Sequence, residues 1–164
     1  MFFVKFGSGA FMKTEPDARR LAEALVRVGT AAGKKVGALL TRMDDPLGLA
    51  IGNANETKEA ILVLHGGGPP DLVECTLELA DEMLILGGAA TDRSGARTLS
   101  SRAIASGAAA RVMERMIEAH GGDPRVVGDP SLLPVAPHAV AIEATTSGRV
   151  TDIDALELGL SAVA

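Results

Sequence analysis

The chain of 164 residues is very poor in aromatic side chains. It has no tryptophan or tyrosine, and its four phenylalanines all fall within the first eleven residues. Any hydrophobic core beyond that opening segment must therefore be aliphatic. Length and a hydrophobic content of 47% still allow one self-standing domain, because a chain of this size buries about two-thirds of its unfolded surface on folding.

Further scarcities limit the compartment and the partners. Cys75 is the only cysteine, so no internal disulfide is possible. No secretory leader pattern is present, and no apolar run approaches the roughly 20 residues that span a bilayer. The net charge of −5 offers no basic face to a nucleic-acid backbone. We therefore expect a cytoplasmic protein that binds neither nucleic acid nor membranes.

The opening of the chain predicts a strand, a helix and a second strand. Phe2–Phe6 is aromatic and β-branched, which is typical of a strand. Apolar residues then recur at helical spacing from a Thr14 N-cap to Gly33, and residues 36–41 form a short apolar run. Parallel pairing of the two strands is expected, which indicates an α/β fold with helices packed on a sheet.

The rest of the chain predicts helices followed by a second sheet element. Helices are expected at 54–64, 70–86, 91–106 and 108–120, as judged by apolar periodicity and glycine or proline boundaries. Residues 123–137 hold four of the eight prolines and lack any period, so we expect a connection there. Three regions result: 1–122 in the α/β lobe, the Pro-rich connection 123–137, and 138–164.

Residues 138–164 predict a β-hairpin and a final helix. Val140 and Ile142 alternate with smaller residues, Ser147 and Gly148 form a turn, and residues 149–153 return the chain. Asp154 is placed to cap a helix that runs to the last residue, Ala164.

The histidines and the cysteine favour structural roles. His65 and His120 lie at helix ends, where a cationic side chain complements the helix dipole. No spacing typical of a zinc site occurs. Cys75 lies within an apolar helix, which favours a buried thiol over a nucleophile. The Gly7-Ser8-Gly9 turn lacks the full spacing of a phosphate-binding loop and favours a plain tight turn.

Two motifs resemble a known family. Residues 5–13 read K-F-G-S-G-A-F-M-K, and residues 39–60 read L-L-T-R-M-D-D-P-L-G-L-A-I-G-N-A-N-E-T-K-E-A. Shorter matches follow in order, including G-G-G-P-P-D-L at 66–72 and S-G-R-V-T-D-I-D at 147–154. The chain resembles pyrimidine-nucleoside and thymidine phosphorylases over nearly its whole length. The match corresponds to a middle and later part of that family's longer polypeptide, within its large α/β lobe.

The resemblance implies two sites. Phe11 matches an aromatic residue that packs near the pyrimidine base, although by itself it would be expected in the core. The backbone carbonyls of Leu47 and Ala50, with the carboxylate of Glu59, match the ligands of a potassium ion. From spacing alone, Glu59 would be a solvated helix carboxylate. The family draws further potassium ligands from its phosphate loop, so the shell expected here is incomplete.

The resemblance also implies what is missing. A pyrimidine-nucleoside phosphorylase exchanges the base of thymidine or uridine for phosphate, its co-substrate, and releases the base and a (deoxy)ribose 1-phosphate. The family's phosphate-binding segments and main pyrimidine contacts all lie upstream of the match at residues 5–13. We therefore assign no catalytic residue to this chain and expect the isolated chain to be inactive.

Several alternatives stay open at this point. The chain could be a fragment, a split-gene product or a shortened homologue of a pyrimidine-nucleoside phosphorylase, and preference for thymidine or uridine is undetermined. It could instead be a non-catalytic partner that completes a split enzyme or only oligomerises. The aromatic strand Phe2–Phe6 favours a homo-oligomer, because an uncovered strand edge invites pairing with another chain.

Overall fold

The computed structural model describes residues 1–163 as two strands, six α-helices and two short 3₁₀ helices. The elements in chain order are β1 (Phe2–Phe6), α1 (Glu15–Ala31), β2 (Ala38–Arg42), α2 (Asn53–Leu64), α3 (Pro70–Leu86), α4 (Arg93–Ala105), α5 (Ala108–Ala119), the 3₁₀ helices Pro124–Val127 and Pro130–Leu132, and α6 (Ala155–Val163). The α/β class expected from the sequence is confirmed.

The two strands pair in parallel and form a two-stranded sheet. Phe2 lies opposite Ala38 and Phe6 opposite Arg42. The crossover helix α1 covers one face of this sheet, where Val4 packs with the buried alanines 18 and 22. Since side chains alternate along a strand, Phe3 and Lys5 belong to the opposite face. The strand–helix–strand prediction is confirmed, although β2 begins two residues later than expected.

The caps of α1 follow the local sequence. The hydroxyl oxygen of Thr14 accepts a hydrogen bond from the backbone N–H of Asp17 at 3.3 Å, which satisfies one of the free amides of the first turn. The helix ends just before Gly33, whose φ of +73° is left-handed. Glycine occupies that conformation without the steric cost that a Cβ would add.

The remaining helices form a second group. The α3 and α4 helices pack against each other, and α5 contacts both α2 and α4. The side chain of Asp92 caps α4 by accepting from the N–H of Gly95 at 2.8 Å. The final helix α6 is capped by Asp154 as expected, whose Oδ1 accepts from the amides of Leu156 and Glu157 at 3.0 Å each. Ala164 lies outside the described residues.

The β-hairpin expected over residues 139–153 does not form, and that prediction is wrong. These residues have no regular secondary structure, and Val140 and Ile142 are 84% and 96% exposed. A two-stranded hairpin is marginally stable unless its apolar face packs on another surface. Within residues 1–163, nothing covers that face.

The Pro-rich connection is more ordered than its composition suggests. Asp123 and Asp129 each accept a hydrogen bond from an amide two residues later and begin the two 3₁₀ helices. Val127, in the first of them, is buried near the end of α2. None of the helices within residues 1–163 is long and apolar enough to cross a membrane.

Candidate functional site

The loop between β2 and α2 is held by two carboxylates from neighbouring helices. Glu59 of α2 accepts hydrogen bonds from the backbone N–H of Leu49, at 3.1 and 3.3 Å to its two oxygens, and from that of Ala50 at 3.4 Å. Asp71 of α3 accepts from the N–H of Gly48 at 3.0 Å. Three successive amides of the loop therefore face carboxylates, which fixes the loop against both helices.

Glu59 is buried, with 8% of its surface exposed. The interpretation of Glu59 as an ordinary solvated helix carboxylate is therefore wrong. The reason is tertiary: the loop folds back over the helix, and its amides replace water around the carboxylate. Gly48 has a φ of +73°, and a Cβ at that position would collide with the Glu59 carboxylate. Only glycine gives the loop this close approach.

The carbonyl oxygens of Leu47 and Ala50 accept no hydrogen bond from residues 1–163. They belong to the same short loop as the amides that Glu59 binds. One carboxylate and two free carbonyls are hard oxygen donors, the chemistry that suits a hard cation. Within residues 1–163, no cluster of three or more His, Cys, Asp or Glu side chains is arranged to hold a metal. The donor set here therefore consists mainly of backbone oxygens.

A cavity of about 720 Å³ adjoins this loop. Leu47, Ala50 and Glu59 all line it, so the three residues implied as cation ligands share one space. Phe3 and Lys5, on the sheet face opposite α1, form another part of the wall, and Cys75 of α3 forms a third. The cavity therefore separates the sheet from the second group of helices.

Phe11 lies away from this cavity and is 93% exposed. The alternative that placed it in the core is therefore wrong. The chain between β1 and α1 turns outward, and Met12 rather than Phe11 packs with the sheet core. Its assignment as a base contact stays a prediction.

The turn that leads to Phe11 is tied to the end of β2. The Asp44 carboxylate accepts a hydrogen bond from the N–H of Ser8 at 2.8 Å. Gly7, with a φ of +122°, allows this approach, because a Cβ there would collide with Asp44. Sequence reasoning did not identify this contact, which joins residues separated by 36 positions.

A buried ion-pair network between α3 and α4 was also missed. Asp81 is fully buried, and its oxygens accept from Arg97 Nε and Ser100 Oγ, each at 2.6 Å. The carboxylates of Glu74 and Glu78 also bind Arg97. These partners raise the pKa of Arg97 above its ordinary value, so it remains charged. The signal in the sequence was the four-residue spacing of acids on one helix and arginines on the next.

The histidine and the cysteine nearest the site have structural partners. His65 Nε2 lies 2.9 Å from the carbonyl oxygen of Val127 and links α2 to the first 3₁₀ helix. Burial raises the pKa of the Cys75 thiol, with the nearby charge of Lys5 opposing the shift. A raised pKa keeps the thiol protonated and reduces its nucleophilicity at neutral pH.

No protein-family model matches the chain. Over 160 residues, which is 98% of the chain, it is 43% identical to the pyrimidine-nucleoside phosphorylase of Staphylococcus haemolyticus (strain JCSC1435). Over the same length it is 42% identical to the pyrimidine-nucleoside phosphorylase of Bacillus subtilis (strain 168). The chain is homologous to a partial region of the pyrimidine-nucleoside phosphorylases.

The chain spans 37% of the length of these phosphorylases. The resemblance carried by residues 5–13 and 39–60 is thereby confirmed at the level of the family. Both motifs lie at the end of a sheet strand in the structure, and the second includes the loop that Glu59 binds. The larger part of each phosphorylase lies outside the match.

Proposed function

We propose that this chain provides the cation-binding loop and part of the structural frame for pyrimidine-nucleoside phosphorolysis. The reaction would convert thymidine or uridine and phosphate to the free base and a (deoxy)ribose 1-phosphate. The chain would act only together with polypeptide equivalent to the part of the phosphorylases that it does not match. The observation that carries this proposal is the identity of 42–43% over 98% of the chain.

The chemistry of such a reaction depends on position and charge. Phosphate must lie opposite the departing base, and holding reactants in place can supply about 7–11 kcal/mol of the barrier reduction. Within this chain, Glu59 and Asp71 fix the loop that adjoins the cavity. Their contribution would be to hold that wall in one conformation, while residues outside the match bind phosphate and the pyrimidine.

We further propose that the loop binds a potassium ion. The ligands within this chain would be the carbonyls of Leu47 and Ala50 and the carboxylate of Glu59. The donor set supports this, since both carbonyls lack partners within residues 1–163 and Glu59 is buried beside them. A bound cation would add positive charge to a buried carboxylate and stiffen the loop between β2 and α2.

An activity assay with two proteins tests the proposed function. The first is the isolated chain, for which we expect no phosphate-dependent release of base from thymidine or uridine. The second is a chimera in which this chain replaces the matched 160 residues of the Bacillus subtilis phosphorylase. We expect the chimera to release base in a phosphate-dependent manner, with the unmodified phosphorylase as the reference.

Two results would contradict the proposal. Phosphate-dependent base release by the isolated chain would show that residues outside the match are not needed. A chimera that folds cooperatively but releases no base would show that this chain cannot replace the corresponding region of an active phosphorylase. That second result would favour the alternative of a non-catalytic partner chain.

A further inference from the structure

The chain exposes more surface than a compact protein of its mass. Its accessible surface is 11238 Å² for 16.8 kDa, whereas a compact monomer of that mass exposes about 7,700 Å². The excess of roughly 3,600 Å² is several times the ~800 Å² that each partner buries in a standard protein interface. The fold therefore leaves an area uncovered that is large enough for a stable interface.

Part of this surface is a segment with the sequence of a half-buried hairpin. Val140 and Ile142 alternate with alanines and Glu143, Ser147 and Gly148 supply a turn, and Val150 follows at a similar distance on the other side. Val140, Ile142 and Val150 are all more than 70% exposed. Alternating β-branched residues are typical of a strand with one face covered, yet here both faces meet solvent.

The described residues offer this segment no sheet to join. The only sheet within residues 1–163 has two strands, β1 and β2. A second copy of the chain would bring the same small sheet and the same uncovered segment. The phosphorylases that the chain matches carry much additional polypeptide, because the match covers only 37% of their length. That additional polypeptide is the occupant that the uncovered area favours.

We propose that residues 139–153 are a docking segment, which folds into a β-hairpin when it binds polypeptide equivalent to the unmatched part of the phosphorylases. Val140, Ile142 and Val150 would form the covered face, and Glu143 would lie on the opposite, solvated face. This inference rests on the homology and on the uncovered surface, and it does not require the proposed enzymatic activity.

Hydrogen exchange of the backbone amides tests the docking segment. In the isolated chain, the amides of residues 139–153 should exchange at rates close to those of an unstructured peptide. In the phosphorylase chimera described above, the same amides should exchange at least about tenfold more slowly, because local unfolding of the docked hairpin must precede exchange.

A matched pair of variants separates docking from general stability. Ile142→Asp places a charge on the expected covered face, and Glu143→Lys changes a charge on the other face. Both residues are exposed in the isolated chain, so neither variant should alter its melting temperature. In the chimera, only Ile142→Asp should restore fast exchange over residues 139–153.

Three results would overturn the proposal. The first is fast exchange of these amides in a folded chimera, and the second is failure of the chimera to fold. The third is slow exchange in the isolated chain that appears with dimer formation, which would make a second copy the occupant. A chimera with a protected segment but no phosphorolysis would count against the proposed function alone and leave the docking segment supported.

Discussion

Arg97 donates a hydrogen bond from its Nε to the Asp81 carboxylate at 2.6 Å, and that carboxylate is fully buried. Arg97 itself is about one-third exposed at its side chain, which places it at the boundary between α3, α4 and solvent. The pair therefore joins a desolvated anion to a cation that still contacts water. Stability of the α3–α4 packing should depend on Arg97 far more than on the outer arginine of the network, Arg93.

The first prediction concerns this pair. Arg97→Met leaves Asp81 charged and buried with only Ser100 as a partner, so it should lower the free energy of unfolding by about 3–5 kcal/mol. Arg93→Met removes a half-exposed partner of Glu78 and Glu82 and should have a much smaller effect. Urea unfolding followed by circular dichroism suits a chain without tryptophan. Equal losses in both variants would contradict the assigned role of Asp81.

The second prediction concerns the approach of the loop to Glu59. Gly48 and Gly33 share a φ of +73°, but a Cβ would meet the Glu59 carboxylate only at Gly48, and nothing lies within 4 Å at Gly33. Gly33→Ala should cost about 1 kcal/mol from backbone strain alone. Gly48→Ala adds displacement of the carboxylate and should cost more. Comparable unfolding free energies for the two variants would argue against a fixed Glu59.

The third prediction tests cation binding. The parent chain should melt at a higher temperature in potassium chloride than in the same concentration of tetramethylammonium chloride, because a ligand that binds only the folded state stabilises it. Glu59→Gln should remove that difference. Glu56→Gln is the control, since Glu56 lines the same cavity but caps α2 at the N–H of Gly52.

Identical melting temperatures of the parent chain in the two salts would mean that the loop does not bind potassium in the absence of the phosphorylase segments outside the match. Loss of the salt difference in Glu56→Gln as well would show that the effect does not depend on the proposed ligands.

The fourth prediction concerns pH. The hydrogen bond from the Gly48 amide lowers the pKa of Asp71 below its ordinary value, so the folded state favours the ionised carboxylate. Its stabilising contribution is complete above the unfolded pKa of about 3.9 and is lost as pH falls through the lowered folded pKa. Between pH 5 and pH 2.5, to take about the range over which an aspartate titrates, the parent should lose more stability than Asp71→Asn.

The matched control for this pH series is Asp152→Asn, since Asp152 is exposed and forms no ion pair within residues 1–163. It should lose as much stability as the parent over the same range. Parallel pH profiles for the parent and Asp71→Asn would show that the Gly48 contact contributes nothing. The homo-oligomer expected from Phe2–Phe6 also stays a prediction, and sedimentation of the isolated chain tests it.

Local features of the fold could be predicted because local physics decides them. Apolar periodicity, the Thr14 cap, Pro70 at the start of α3 and the glycines after helix ends set the elements to within a few residues. The resemblance of residues 39–60 likewise depends only on the order of residues. These properties need no knowledge of which elements touch.

Burial could not be predicted, because it depends on what packs over each residue. Glu59 has the sequence context of a surface carboxylate, and it is buried only because the loop folds back over α2. Phe11 has the composition of a core residue, and it is exposed because the turn after β1 directs it outward. Spacing gives the side of an element on which a residue lies, whereas long-range contacts decide whether that side is covered.

The sequence by itself determined the strand–helix–strand opening, the helix boundaries and the family that the chain resembles. The tertiary structure alone decided that Glu59 holds the loop amides, that Asp81 is buried against Arg97, and that residues 139–153 remain unpaired. The physical reason is the same in each case. Helices and turns gain their hydrogen bonds from neighbours in sequence, while a buried charge or a hairpin face is stabilised only by a surface brought from elsewhere.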